Sequence, residues 1–180
     1  MLEEKVIGLS KVKILLLTIG AVVFVLLGVW FLSMDAQSIE SQRKFNSPTL
    51  VYGIGVVSII FFGFCGLIGI KKFFDNSPGL IISSKGIQDN SSGVSAGLIP
   101  WEEVVAIGEY QIHKQKFISI QVKDPEIYAN NGNALKRMAN RANIKMCGTP
   151  VNISANSLKI SYDELLETIT EYYHKSNANA

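Results

Sequence analysis

The chain has 180 residues, 17 Lys/Arg against 15 Asp/Glu, a formal net charge of +2 and 48% hydrophobic residues. A balance this close to neutral argues against nucleic-acid binding, which selects a clear basic excess. The two cysteines, Cys65 and Cys147, are far apart and have no His or Cys at ligand spacing, so neither a disulfide nor a metal site is expected.

The averages conceal two populations. Residues 1–13 form a short basic leader containing Lys5, Lys11 and Lys13, read as a cytosolic segment without structure of its own. Residues 14–33 (ILLLTIGAVVFVLLGVWFLS) and 50–70 (LVYGIGVVSIIFFGFCGLIGI) contain no charged residue. At about 1.5 Å per residue, each run matches a hydrocarbon core of about 30 Å, which predicts two transmembrane helices. The first run exceeds the about 7–15 residues of a signal-peptide core, and Met34-Asp35-Ala36 is a poor cleavage site, so an uncleaved span is expected. Residues 34–49 read as a short external loop in which Asn46-Ser47-Pro48 is a turn.

Charge sets the expected orientation. Lys5, Lys11, Lys13, Lys71 and Lys72 flank the outer ends of the pair, against Arg43 and Lys44 in the connecting loop. The positive-inside rule then puts both termini in the cytosol of a multi-pass inner (plasma) membrane protein. Trp30 and Tyr52, at the loop ends of the two runs, fit the headgroup level that amphipathic rings favour. Small residues let helices approach closely in lipid, and Gly20, Gly28, Gly63, Gly66 and Gly69 are the packing candidates. Packing within the hairpin is the simpler expectation, and a homo-oligomer interface is the alternative. Neither run carries an ionisable group, which argues against a proton relay, ion path or carrier.

Residues 71–78 form a juxtamembrane linker short enough to keep the chain beyond residue 78 near the bilayer. From 79 the pattern becomes strand-like. Leu80-Ile81-Ile82, Gly86–Asp89, Ala96–Trp101, Val104–Ile112 with a bulge expected at Gly108, and Phe117–Lys123 are separated by turn signals. His113–Lys116 reads as a hairpin tip. Residues 124–146 form an inserted basic helical segment, with Asp124 as cap and Pro125 in the first turn. Its second piece places Leu135, Met138, Ala139 and Ala142 on one stripe and Lys136, Arg137, Asn140 and Arg141 opposite. Val151–Ser154 and Leu158–Ile160 read as final strands. Ser161 with Glu164 makes a capping box for a last helix burying Leu165, Leu166, Ile169, Tyr172 and Tyr173. Residues 176–180 read as a frayed tail.

This layout resembles a family of small bacterial membrane proteins in which two transmembrane helices precede a bacterial PH-like cytosolic domain. The residues that carry the resemblance are Gly79–Ile82, Gly86-Ile87, Leu98–Val104, and Leu158–Ile160 running into Asp163–Leu166. The resemblance implies an α+β membrane protein: a two-helix transmembrane hairpin plus a PH-like antiparallel β-barrel or sandwich over 79–175, closed by a C-terminal amphipathic helix. It implies no activity. The basic segment 124–146 departs from it, standing where a plain PH-like domain has a shorter turn.

No stretch points to catalysis. His113 and His174 lack the neighbours of a nucleophile–base pair. Glu102 and Glu103 would point to opposite faces of a strand. Asn90-Ser91-Ser92-Gly93 lacks the Lys and Ser/Thr of a phosphate loop. A non-enzymatic chain without cofactor is therefore expected. The membrane-surface candidates are Lys71, Lys72, Lys136, Arg137, Arg141 and Lys145, since each basic residue near anionic lipid contributes about 1 kcal/mol. The expected partners are the bilayer, through both spans, and anionic headgroups or a membrane protein. The expected role is a membrane-anchored PH-like interaction module; the alternative is a small structural or assembly subunit acting through its glycine-rich hairpin.

Overall fold

The computed structural model describes residues 3–178, which form two compact units. Lys11–Asp75 is one. The residues up to Ser10, together with those from Asn76 onward, are the other.

The first unit is an antiparallel pair of long helices, α1 (Lys11–Ser33) and α3 (Pro48–Phe74), with a five-residue helix α2 (Ala36–Glu40) between them. Both long helices are apolar and long enough to cross a membrane. They overrun the uncharged runs because the backbone ladder continues through polar flanks. Pro48 occupies the first turn of α3, where a missing N–H costs nothing, and Lys71 and Lys72 occupy the last, where cations meet orphan carbonyls. Lys11 Nζ donates to the carbonyls of Phe73 (2.6 Å) and Asp75. One cation at the start of α1 thus satisfies the end of α3. At the other end, α2 replaces the expected plain loop. Asp35 accepts from the Gln37 and Ser38 amides, Ile39 is fully buried, and the Tyr52 hydroxyl donates to the Met34 carbonyl at 2.8 Å.

Three of the five glycine candidates lie between the helices. A Cβ on Gly28 would come within 2.8 Å of the Gly55 carbonyl, one on Gly69 would collide with Thr18, and one on Gly66 would meet Ala21 at 3.8 Å. Gly20 and Gly63 have nothing within 4 Å. Eight residues advance about 80° around a helix, so Gly20 and Gly28 do not share the packed face. Gly55, which sequence spacing did not single out, is the true counterpart of Gly28.

The second unit holds seven strands in two antiparallel sheets. Strands β1 (Lys5–Ile7), β2 (Leu80–Ser83), β3 (Gly86–Asp89) and β4 (Gly97–Pro100) make the first; β5 (Val104–Ile112), β6 (Gln115–Val122) and β7 (Val151–Ile153) make the second. The sheets do not close into the expected barrel. A 3-10 turn at Trp101–Glu103 separates β4 from β5, and a second at Ala155–Ser157 follows β7. Consequently Leu158–Ile160 is not a strand; Leu158 makes a single bridge to Leu9. Alternate residues of both sheets (Leu80, Ile82, Ile87, Ile99, Ile118, Ile120) are fully buried, as are Leu165 and Ile169 of the C-terminal helix. Each such side chain stabilises the fold by about 1.5–3 kcal/mol relative to exposure. The β5 bulge falls at Val104/Ala106 and not at Gly108, which pairs in register with Ser119 and leaves room for its hydroxyl. The hairpin tip is the two residues His113 and Lys114, with His113 at φ 54°.

The largest departure concerns the leader. Lys5–Ile7 pairs with Leu80–Ile82, the Glu3 carbonyl accepts from the Tyr172 hydroxyl, and Lys5 Nζ donates to Thr168 Oγ1 at 2.9 Å. Ser10 N donates to the Ser157 carbonyl before α1 begins at Lys11. The leader is therefore the edge strand of the sheet, and the helical hairpin is spliced into the β1–β2 connection. Three residues, Lys5-Val6-Ile7, without apolar–polar alternation are too few to announce a strand whose partner lies some seventy positions away.

After β6 come α4 (Pro125–Ala129), α5 (Ala134–Cys147) and, beyond β7, α6 (Tyr162–Asn177). The side chains of Asp124, Asn133 and Ser161 cap the three helices, and Gly148, at φ 75°, ends α5. Helix α6 continues to Asn177, through the start of the expected tail; residues 179–180, like 1–2, lie outside the described residues.

Candidate functional site

Helix α5 is built like a core helix and packed like a surface one. Its apolar spacing predicts burial of Leu135, Met138, Ala139 and Ala142. Instead Leu135 is 49% exposed, Met138 66% and Met146 54%. The one fully buried residue of α5 is Asn140, whose amide donates to the Tyr128 carbonyl at 3.0 Å while its Oδ1 has no partner. An inward asparagine rotates the apolar stripe toward solvent.

The basic candidates are divided by the same rotation. Arg137, Arg141 and Lys145, at i, i+4 and i+8, form one exposed row. Met138, Ala142, Leu135 and Met146 run beside it, so a cationic strip and an apolar strip lie side by side. Arg137, Met138, Arg141, Ala142 and Lys145 line one shallow groove of about 530 Å³, with Asn130 at its edge. Arg141 Nη2 donates to Asn130 Oδ1 at 3.0 Å, which fixes its guanidinium over that edge. Helix α5 contains no acidic residue, and no ion pair among the described residues involves its cations. Lys136 stands apart: its stem lies against Gly132, on the flank away from that groove. Lys71 is exposed on the last turn of α3, whereas Lys72 pairs with Asp75 at 3.3 Å.

The remaining features have structural roles. Asp89, nearly fully buried, accepts from Ser91 N, Ser91 Oγ and Ala96 N. The carboxylate and the Ser92 and Ser95 hydroxyls consume donors of the 90–96 loop, which leaves it unsuited to phosphate. A hollow of about 200 Å³ near Phe117, Met146 and Asn152 includes Cys147, but burial pushes that thiol up and away from the reactive thiolate. A groove of about 440 Å³ separates β5 from α6, where the Tyr173 hydroxyl donates to the Val105 carbonyl. His113 and His174 lie in different places, at the hairpin tip and near the end of α6. Glu102 and Glu103 fall in the 3-10 turn, not on a strand. No group of three or more His, Cys, Asp or Glu among the described residues could hold a metal ion.

No family model, curated protein or solved structure matches the chain. Helix α5 offers point charges, one positioned guanidinium and adaptable thioether side chains, which suit binding and supply no nucleophile or general base.

Proposed function

We propose that this chain is a membrane-anchored interaction module in which the helical hairpin lies in the inner membrane and the α+β unit binds through the outer face of α5. The observation that carries the reading is the exposure of Leu135 and Met138 beside Arg137, Arg141 and Lys145. Exposed apolar patches rimmed by charge mark interaction sites on soluble surfaces. The hairpin supports the anchor role: most of its large apolar side chains, among them Leu16, Val57, Ile60 and Leu67, face outward, which costs nothing in lipid and much in water. Charge asymmetry supports cytosolic termini. Antiparallel strands with one C-terminal helix after them support the PH-like likeness in order, though not in closure. The reading of the chain as a structural subunit has less behind it, because Gly28, Gly55, Gly66 and Gly69 are used within the hairpin.

Site-specific photocrosslinking in native membranes tests this. A photoreactive residue at Met138 is expected to give reproducible adducts, to lipid or protein, and one at Glu167 on exposed α6 surface is not. Equal yields at both positions would overturn the reading.

A further inference from the structure

We infer that the occupant of the α5 face is the anionic surface of a lipid bilayer, with Arg137, Arg141 and Lys145 on the phosphates and Leu135, Met138 and Met146 entering the headgroup boundary. The inference rests on the proposed function above and names its ligand.

Three observations favour a lipid surface over a protein groove. First, the charge is one-sided: the 14 residues of α5 carry Lys136, Arg137, Arg141 and Lys145 and no anion. Three of the cations are spaced about 6 Å apart along the axis, a row that can meet several headgroups at once. Second, the apolar strip consists of Leu, Ala and Met, with no aromatic anchor and no deep pocket. Protein interfaces concentrate their binding energy in Trp, Tyr and Arg seated in pockets. A narrow apolar strip beside a cationic one is the pattern of helices that lie in a bilayer interface. Third, the chain supplies the bilayer. Only residues 75–79 separate the end of α3 at Phe74 from β2 at Leu80, and α1 begins directly after Ser10. A tether this short holds a lipid surface at high effective concentration, so weak contacts suffice.

The test uses the full chain in nanodiscs, one set of phosphatidylcholine alone and one of phosphatidylcholine mixed with phosphatidylglycerol. Amide hydrogen exchange of residues 134–147 is expected to slow about tenfold in the anionic discs and to return to the zwitterionic rate at high salt. The triple variant R137Q/R141Q/K145Q should lose the difference. Lys136→Gln, which removes a charge of the same sign from the other flank, should keep it. Exchange in α6 should be unchanged throughout, which reports an intact fold. Identical α5 exchange in both disc types would overturn the inference, as would equal effects of Lys136→Gln and the triple variant. If Met138 still forms protein adducts in native membranes while exchange ignores lipid charge, the binding face stands and the lipid assignment fails. If both signals are absent, both fail.

Discussion

Helices α5 and α6 are two amphipathic helices of similar length, each opened by a side-chain cap, yet they use their apolar residues in opposite ways. Helix α6 buries Leu165, Ile169 and Tyr172, with Glu164, Glu167 and Glu171 on its polar side. Helix α5 buries an asparagine and leaves Leu135, Met138 and Met146 in solvent. The difference teaches that amphipathic spacing specifies a face, not what that face touches. One polar residue with a buried hydrogen-bond partner decides which side turns inward: the Asn140 amide donates to the Tyr128 carbonyl, and burying that amide without a partner would cost about 1–3 kcal/mol.

This contrast can be broken by substitution. The largest effect is expected in α6. Ile169→Ala should destabilise the α+β unit by about 2–5 kcal/mol, read by chemical denaturation of the full chain in detergent. Next is the anchor at the start of α6, where the Tyr162 hydroxyl donates to Glu109 Oε2 at 3.0 Å. Burial and then the Glu109 hydrogen bond and charge push this phenol from the ordinary 10.0 up to about 12. A raised folded-state value contributes stability that is full below about pH 10 and is lost as pH climbs toward 12. Tyr162→Phe should flatten that part of the alkaline denaturation profile; an unchanged profile would show that the phenol is not anchored. Asn140→Ala should cost about 1 kcal/mol, the lower end for a lost buried donor because its Oδ1 is already unpartnered, with faster amide exchange confined to α4 and α5. Met138→Ser should change stability by no more than about 0.5 kcal/mol, as for an exposed residue. A loss near that of Ile169→Ala would mean that α5 packs as α6 does.

Features carried by local chemistry were legible in the sequence. The uncharged runs, the Asp124-Pro125 start, the Ser161 cap and the buried Leu165 and Ile169 all stem from short-range pattern. What escaped depends on distant pairing. Lys5–Ile7 is a strand only because Leu80–Ile82 lies beside it, and Leu158–Ile160 is not one because only Leu158 makes a bridge, an isolated one to Leu9. The basic helix was visible, but the direction of its face was not, since the Asn140–Tyr128 contact crosses between two helices. Among the cations, helical spacing already sets Lys136 off the row of Arg137, Arg141 and Lys145, and the structure adds the packing of its stem against Gly132.

The splice of the helical hairpin into the β1–β2 connection has a consequence for biogenesis. During synthesis β1 leaves the ribosome first and has no partner until residues 80–82 emerge. Closing so long a loop by random search is entropically costly. Packing of α1 against α3 removes most of that search, since Lys11 clasps the carbonyls of Phe73 and Asp75 and brings the two ends of the hairpin together. The helical hairpin would then act as a folding template, with the sheet completed after it. A fragment begun at residue 76 would lack its first strand and expose β2 as a bare edge, a template for aggregation.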